Sequence, residues 1–271
     1  MDRGTNPMRR VITMSTSSEK SYKVDQLSVR RFGALAEMAA AAAEDAANVL
    51  REAIAQRGLA RAIIATGNSQ DQFLAILVRL PGIEWSKVAL FHMDEYLGMP
   101  MTHPASFRKY LKERVFDKVN PGEAHFLEGD AMEPLKAIRS YTAALASAPV
   151  DLCCLGIGEN GHIAFNDPAV AEFEDPEAIK IVKLDNKCRS QQVGEGHFPN
   201  LDAVPMYAIT LTIPTLCKVG RMIAVVPETR KAQAVKDSLE GPIAPTCPGS
   251  YLRRQSHATL YLDGDSSSLL T

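Results

Sequence analysis

The clearest structural signal in this chain is the stretch VDLCCLGIGENGHIAFNDP, at residues 150–168. Five of its first six residues are apolar, which is typical of a strand buried on both faces of a parallel sheet. Three glycines and a histidine follow directly, so the strand ends in a tight, polar loop. The closing residues FNDP are poor helix formers and contain a proline, so this loop does not open a helix. We therefore expect a buried strand over 150–155, followed by a polar loop whose histidine can take part in chemistry.

Other short apolar runs alternate with helical segments along the rest of the chain. The predicted strands are 62–65, 88–93, 125–127, 150–155, 179–184, 221–226 and 258–262, and the predicted helices are 29–57, 70–80, 104–119, 133–146 and 228–239. Apolar strands separated by helices are typical of a mostly parallel sheet that is covered on both faces. The sequence thus predicts a doubly wound, modified Rossmann-like α/β fold in a single domain, residues 22–271, after a polar N-terminal tail, residues 1–21.

Composition excludes several classes of protein. The 271 residues carry 30 Lys and Arg against 32 Asp and Glu, a net charge of −2. A chain this close to neutral has no general electrostatic reason to bind nucleic acid or an anionic membrane. No apolar run approaches the ~18 residues of a membrane span. The five cysteines are an odd number without CxxC spacing, which predicts neither a disulfide framework nor a zinc site. We expect a cytoplasmic protein with a small-molecule partner.

The loops after three of the predicted strands form the candidate site, because ligands of doubly wound sheets bind outside the carboxyl ends of the strands. The first loop is Thr66-Gly67-Asn68-Ser69, between a strand and a helix. Glycine lets the backbone approach a ligand, and free N–H groups at a helix start favour an anion. The two hydroxyls add donors. We predict an anion site here; the alternative is that Ser69 only caps the helix.

The second loop contains two adjacent carboxylates, Asp94 and Glu95. Successive residues of a strand face opposite sides, so these two side chains cannot both point into one cleft. We predict that one is a base and that the other holds a neighbouring loop. The alternative is a solvated acid or a helix cap.

The third loop contains His162, whose unperturbed pKa lies near 7. Asn160 and Asp167 are close enough in sequence to orient its ring, and a histidine with a carboxylate partner is a general acid/base pair. The loop also has GxGxxG spacing, but a dinucleotide fingerprint must open a helix, and this loop does not. We therefore predict no nucleotide cofactor.

A metal centre is a weaker interpretation of the same loops. His92, Asp94 and His162 are residue types that bind metals. They lack a compact ligand motif, and we predict no metal.

Two motifs resemble those of the glucosamine-6-phosphate deaminase family. The segments FHMDEYLG, at 91–98, and HPASF, at 103–107, resemble the family motif FNMDEYxGLxxxHPxSY. The segment LGIGENGHIAFNDP, at 155–168, resembles GIGxNGHIxFNEP. The similarity runs from about residue 22 to residue 263. The wider superfamily also holds 6-phosphogluconolactonases, ribose-5-phosphate isomerases and coenzyme A transferases, and the MDEY motif favours the deaminase branch.

The resemblance implies an aldose–ketose isomerising deaminase of amino-sugar catabolism, which converts glucosamine 6-phosphate and water to fructose 6-phosphate and ammonia without a metal or cofactor. It implies that His162 takes the C1 hydroxyl proton during ring opening, a step that Asn160 and Asp167 assist. It implies that Asp94 moves a proton from C2 to C1. The implied substrate- and phosphate-binding residues are Thr66, Gly67, Asn68, Ser69, Gly158, Arg189, Gln192 and Lys231.

Several residues depart from the family pattern. Asn68 stands where a small residue is usual, and Asp167 stands where glutamate is usual. Gln192 stands where one branch has a phosphate-binding arginine, and Arg189 is the candidate to replace that arginine from another turn. The polar, glycine-containing segment 191–198 is predicted to be a lid or cleft edge.

Two alternative functions are also considered, the second because of the altered phosphate loop and the missing arginine. One is a 6-phosphogluconolactonase-type hydrolase, in which His162 is the base and Asp94 has no role. The other is a non-catalytic sugar-phosphate sensor. The sequence does not determine which epimer of the amino sugar is used, nor whether the chain forms a homo-oligomer.

Overall fold

A central sheet with helices on both faces organises residues 19–271, which a computed structural model of the chain describes. The strands are β1 (Lys20–Val24), β2 (Leu27–Arg31), β3 (Ala60–Ile64), β4 (Val88–His92), β5 (Asp94–Tyr96), β6 (Glu123–Ala124), β7 (Val150–Leu155), β8 (Ile179–Lys183), β9 (Tyr207–Leu211), β10 (Val219–Val226) and β11 (Ala258–Leu262). The helices are α1 (Leu35–Arg57), α2 (Asp71–Leu77), α3 (Phe107–Leu111), α4 (Asp117–Val119), α5 (Pro134–Ala146), α6 (Asn186–Gly194), α7 (Ile213–Cys217) and α8 (Ala232–Glu240). Most of the predicted N-terminal tail lies outside the described residues, and its last two residues belong to β1.

The central sheet has the strand order β1-β2-β11-β10-β7-β3-β4-β6, and only the β1–β2 pair is antiparallel. One hydrophobic core packs α1 and α2 against one face, and a second core packs α5 and α8 against the other. Strand β7 serves both cores, since Leu152 and Cys154 point to the first and Cys153 and Leu155 to the second. The predicted fold class, a doubly wound and mostly parallel sheet with helices on both faces, is confirmed.

The first helix begins later than predicted, at Leu35 instead of residue 29. Residues 27–31 form β2 because Leu27 and Val29 are buried while their neighbours are partly exposed, and this alternation is typical of a strand. The alanine-rich run that follows is helical as expected. Gly58 ends the helix in a left-handed conformation with φ 79°, which confirms the predicted stop.

The predicted strand at 179–184 does not join the central sheet. It forms β8 of a second, antiparallel sheet with the order β5-β9-β8, and β9 was not predicted. Asp94, the first residue of β5, pairs with Thr210, and Glu95 pairs with Ile209. This small sheet therefore holds the two carboxylates of the second loop at the edge of the central sheet.

Other boundaries differ by a few residues. The helix predicted from 104 starts at Phe107, because the Ser106 hydroxyl caps it by accepting a hydrogen bond from the Lys109 amide. The strand predicted at 125–127 is the two-residue β6 just before it. The helix predicted from 228 begins with a 3₁₀ turn at Thr229–Lys231. No helix within residues 19–271 combines the length and the apolar character needed to cross a membrane.

Candidate active site

A cleft lies at the carboxyl ends of β3, β4, β7 and β10, where the three loops that the sequence singled out, after β3, β4 and β7, meet. The space between its walls, open mouth included, is about 580 Å³. Among the predicted site residues, those that line it are Thr66, Gly67, Ser69, Asp94, Gly158, His162, Gln192 and Lys231. Parallel strands bring these residues together although they are far apart in the chain.

The Thr66–Ser69 loop forms one wall. Gly67 has φ 99°, a conformation that side-chain-bearing residues rarely adopt, and the loop then turns into the 3₁₀ segment Asn68–Gln70 and α2. Ser69 makes no capping hydrogen bond at either element. Ser69 lines the cleft, where a ligand can reach it. This position disfavours the alternative that Ser69 only caps the helix.

The Asp94 carboxylate reaches the cleft from the second sheet. Its residue is 6% exposed. Within residues 19–271 no group donates a hydrogen bond to this carboxylate, whereas most buried carboxylates are paired. Burial, reinforced by the charge of Glu95, raises the pKa of Asp94 well above its ordinary value. The carboxylate is thus an unengaged proton acceptor with increased basicity.

Glu95 points the opposite way, as predicted for adjacent strand residues. Its carboxylate accepts hydrogen bonds from the Ser106 hydroxyl at 2.7 Å and from the Arg108 amide at 3.0 Å. The Arg108 guanidinium Nε lies 3.4 Å from the same carboxylate, and both side chains are nearly fully buried. Glu95 therefore fixes the start of α3 against β5, and Asp94 is the carboxylate that remains for chemistry.

His92 is part of the scaffold and does not serve as a metal ligand. Its Nε2 accepts a hydrogen bond from the Leu127 amide at 2.8 Å, so the proton lies on Nδ1, which donates to the Asp94 carbonyl at 3.0 Å. Burial lowers the pKa of His92 to about 3, and the ring is neutral. Both ring nitrogens are in use, and the set His92, Asp94 and His162 does not fit a metal ion.

His162 is oriented by a hydrogen-bond network behind the cleft. Its Nδ1 lies 2.7 Å from Asn160 Oδ1 and 3.2 Å from Asp167 Oδ1. The Asn160 amide nitrogen donates to Asp167 and to Asp185, each at 3.0 Å, and these two carboxylates fix which way the amide faces. Asn160 Oδ1 can only accept, so the proton of neutral His162 lies on Nδ1. The Nε2 lone pair is left free to act as a base.

Gly158 leaves the space that the His162 ring occupies. A Cβ at position 158 would lie 2.1–2.4 Å from three ring atoms of His162, so only glycine leaves room for the imidazole. The Gly158 amide also donates to the His162 carbonyl at 2.9 Å. The loop sequence therefore sets the position of the histidine by contact as well as by hydrogen bonding.

Asp167 is buried behind His162 and is ionised. Burial alone would raise its pKa, but hydrogen bonds from His162, Asn160 and the Asp185 amide outweigh this and hold the pKa below its ordinary value. Asp167, His162 and the Cys188 thiol lie close enough together to be considered as metal ligands. Burial raises the pKa of the Cys188 thiol well above its usual range, and Nδ1 of His162 is already engaged, so this set does not fit a metal either.

Lys231 provides a buried cation on the opposite wall. It is 2% exposed and lies at the end of the 3₁₀ turn that opens α8. Its Nζ is 3.5 Å from Oε1 of Glu195, a residue that also lines the cleft. Burial lowers the pKa of Lys231, and the charge of Glu195 partly offsets this effect. A cation in this position suits an anionic group of a ligand.

The segment 191–198 forms a wall of the cleft, as predicted, but its first half is the C-terminal part of α6. Gln192 lines the cleft, and its Oε1 accepts a hydrogen bond from the Tyr96 hydroxyl at 2.8 Å. Arg189 does not replace the missing arginine. Its guanidinium turns away and donates to the carbonyls of Leu201 and Val204, at 2.6 and 3.0 Å. The structure does not bring Arg189 to the cleft, because its helical position faces the α6–β9 connection.

Asn68 also has a role that the sequence did not predict. Its side chain lies outside the cleft lining and donates to the backbone carbonyl of Glu195 at 3.2 Å. Glu195 itself was absent from the predicted site, although it belongs to the predicted lid segment. Its position between Gly194 and Gly196 was the available signal. Only the fold shows that this carboxylate meets Lys231.

Comparisons with known proteins agree with this geometry. The family model of glucosamine-6-phosphate isomerases/6-phosphogluconolactonase matches residues 34–261. The glucosamine-6-phosphate deaminase of Pseudarthrobacter chlorophenolicus is 33% identical over 231 residues, 83% of this chain and 87% of that protein. The protein of the same name from Exiguobacterium sibiricum is 32% identical over 195 residues, 69% of this chain and 75% of that protein.

Solved structures add the three-dimensional match. A monomeric glucosamine-6-phosphate deaminase superposes with a TM-score of 0.82 at 28% identity, over 89% of this chain and 99% of that chain. A 6-phosphogluconolactonase from Shewanella baltica superposes with a TM-score of 0.73 at 17% identity, over 89% of this chain and 100% of that chain, and shares the fold alone. Together with the matched family model, which spans most of the sequence, these similarities show that the chain belongs to the glucosamine-6-phosphate isomerase/6-phosphogluconolactonase family.

Proposed function

We propose that this protein is an isomerising deaminase that converts glucosamine 6-phosphate and water to fructose 6-phosphate and ammonia. The observation that carries the proposal is the meeting of an unpaired Asp94 carboxylate, the free Nε2 of His162 and the Lys231 cation in one cleft. The deaminases more than 30% identical to this chain support the same reaction. The partner is a small sugar phosphate, and the proposal involves neither nucleic acid nor a membrane.

The proposed reaction begins with ring opening. His162 Nε2 accepts the proton of the C1 hydroxyl, while the Asp167 carboxylate and the Asn160 oxygen stabilise the imidazolium that forms. The imidazolium gives this proton to the ring oxygen as the bond between C1 and the ring oxygen breaks, and the open-chain aldehyde results. Charged hydrogen bonds of this kind contribute about 1.5–3 kcal/mol each, so the buried Asp167 is the stronger of the two supports.

Proton transfer between carbons follows. Asp94 removes the C2 proton while a proton of the substrate's ammonium group passes to the C1 oxygen, which gives an enolamine. Asp94 then returns its proton to C1, which leaves a protonated imine at C2. Water adds to that imine, and ammonia leaves with the ketose phosphate as the other product. A carboxylate with a raised pKa suits this task, because it accepts a proton and releases it to the neighbouring carbon. No step requires a redox change or a metal-bound intermediate.

We also propose a cytoplasmic setting for this reaction. All five cysteines are free, and three of them are buried. Unpaired cysteines are typical of a reducing compartment.

The test is ammonia release from the purified protein with glucosamine 6-phosphate, run beside galactosamine 6-phosphate and 6-phosphogluconolactone. We expect ammonia and fructose 6-phosphate in equal amounts from the first compound. Release from galactosamine 6-phosphate alone would keep the mechanism and change the epimer. Hydrolysis of the lactone without ammonia release would overturn the proposal, and so would thermal stabilisation by all sugar phosphates without turnover of any.

A further inference from the structure

A carboxylate of the chain itself lies where an anionic ligand group would lie. The Glu195 side chain is 6% exposed, and its Oε1 is 3.5 Å from Lys231 Nζ. Gln191 Nε2 donates to the same oxygen at 2.9 Å, and His197 Nε2 lies 3.4 Å from Oε2. A cation, an amide donor and an imidazole thus surround one anion. This donor set is also suited to a phosphate group.

The backbone of Glu195 is hydrogen-bonded to the loop that the sequence singled out for anion binding. Asn68, in that loop, donates its side-chain amide to the Glu195 carbonyl at 3.2 Å. Gln191 links Glu195 to the loop of His162, since its Oε1 accepts a hydrogen bond from the Glu159 amide at 2.9 Å. Glu195 therefore closes the cleft between two of its walls.

The backbone around Glu195 allows the side chain to leave. Gly194 and Gly196 flank it, and a Cβ built on either one would meet no atom within 4 Å. Gly196 has φ 81°, which places it in the left-handed region. Because glycine tolerates more backbone conformations than other residues, this end of α6 can change conformation once the hydrogen bonds of the Glu195 amide to the Gln191 carbonyl and of the Gly196 amide to the Val193 carbonyl are given up.

The local charges make Glu195 and phosphate mutually exclusive. Arg230 is paired with Glu228, at 2.5 Å between Nε and Oε2, and Lys231 is paired with Glu195. These four groups sum to zero charge. A phosphate added with Glu195 in place would find no uncompensated cation among them and would face a carboxylate a few ångströms away. Like charges this close in a partly buried site repel strongly.

We propose that Glu195 determines the affinity of this site for phosphorylated ligands: its carboxylate competes with the phosphate group for Lys231, and the substrate binds by displacing it about Gly194 and Gly196. The inference deepens the proposed function and rests on it for the identity of the phosphorylated ligand. In this proposal a side chain of the protein competes with its own ligand. Asn68 and Glu195 share the role of keeping the cleft closed in the absence of ligand.

The experiment measures inorganic phosphate binding by titration calorimetry, which requires no turnover, and KM for glucosamine 6-phosphate by ammonia release. The variants are Glu195→Gln, which keeps the shape and removes the charge, and Glu195→Ala, which vacates the position. The control is Glu159→Gln. The Glu159 charge acts on Lys231 from a distance without an ion pair between them. This variant therefore removes a nearby negative charge but leaves the Glu195 carboxylate beside Lys231.

We expect both Glu195 variants to bind phosphate about tenfold or more tightly than the unmodified protein, and we expect KM for the amino-sugar phosphate to fall in parallel. Glu159→Gln should change the phosphate affinity less than about threefold. Unchanged or weaker phosphate binding in both Glu195 variants would overturn the proposal, since Glu195 would then help to hold the ligand. An equal gain in Glu159→Gln would also overturn it and leave only a general charge effect. If the unmodified protein released no ammonia, the proposed function would fail while the phosphate titrations still decided the role of Glu195.

Discussion

Replacing Asp94 with asparagine separates the chemistry of the cleft from its architecture. The isosteric amide fills the same space, and no described group donates a hydrogen bond to the Asp94 carboxylate, so the packing around β5 should persist. The variant loses the carboxylate that faces the cleft without a partner. Loss of a general base lowers a rate by about 10²–10⁴-fold, so we expect kcat to fall by that factor. KM should stay within about threefold, because Lys231 and the Thr66–Ser69 loop are untouched.

The assay follows the proton as well as the ammonia. In deuterated water the unmodified enzyme should exchange the C2 hydrogen of glucosamine 6-phosphate, and Asp94→Asn should not, by proton NMR. Glu95→Gln is the matched contrast at the neighbouring position. It weakens the hydrogen bonds that Glu95 accepts from Ser106 and Arg108, and it removes one of the two carboxylates beside the buried Arg108 guanidinium, which keeps Asp130 as its other partner. We expect that variant to lose about 1–3 kcal/mol of unfolding free energy, whereas Asp94→Asn should lose none.

The pH dependence gives the same variant a second readout. Burial raises the pKa of Asp94 in the folded chain, so the folded state binds this proton more tightly than the unfolded state. The resulting stability is present at low pH and is lost as the pH rises through the raised pKa. Asp94→Asn should therefore melt at least as high as the unmodified protein at neutral pH. In the unmodified enzyme, kcat should fall on the acid side with an apparent pKa above ~3.9, the pKa of an ordinary aspartate. Full C2 exchange and unchanged kcat in Asp94→Asn would refute the assignment of the base.

Two further predictions concern the phosphate side of the cleft and the histidine. Lys231→Ala should raise KM about tenfold or more with a smaller change in kcat. Lys236→Ala, at a partly exposed lysine of α8 that does not line the cleft, should leave both unchanged. Steady-state kinetics of ammonia release checks this, and equal effects in the two variants would remove Lys231 from the site. Gly158→Ala places a methyl group within 2.4 Å of the His162 ring and should lower kcat by about 10²-fold or more while KM changes little, and a shifted His162 resonance in the NMR spectrum would accompany it; full activity would show that the ring has room to move.

The chemistry-bearing loops could be predicted because their signals are local. A wholly apolar run as short as residues 152–155 with glycines directly after it is typical of a buried strand, and the glycines and the histidine that follow it then lie at the strand end. The alternation of side chains along a strand likewise assigns Asp94 and Glu95 to opposite faces, because it depends only on their adjacency. The boundaries of the first helix were less predictable, since the alanine-rich run masked the alternation of Leu27 and Val29 in β2.

The second sheet and the direction in which Arg189 points could not be predicted from local sequence patterns. Strand β9 contacts β5 across more than 100 residues of chain, and neither strand is long enough to indicate its partner. Arg189 was a reasonable phosphate ligand by charge and proximity in sequence. Its position on α6 turns it toward Leu201 and Val204, and no local pattern indicates the direction in which a helix faces.

Residue types and spacing alone predicted the fold class, one base between Asp94 and Glu95, and an acid/base histidine, because each depends on a strand end and the few residues beyond it. The pairing of Glu195 with Lys231, the neutral state of His92 and the hydrogen-bond network that directs Nε2 of His162 into the cleft depend on contacts between segments distant in the chain. Hydrogen bonds and desolvation act over a few ångströms of space. The roles of these groups were therefore set when the strands of the two sheets came together.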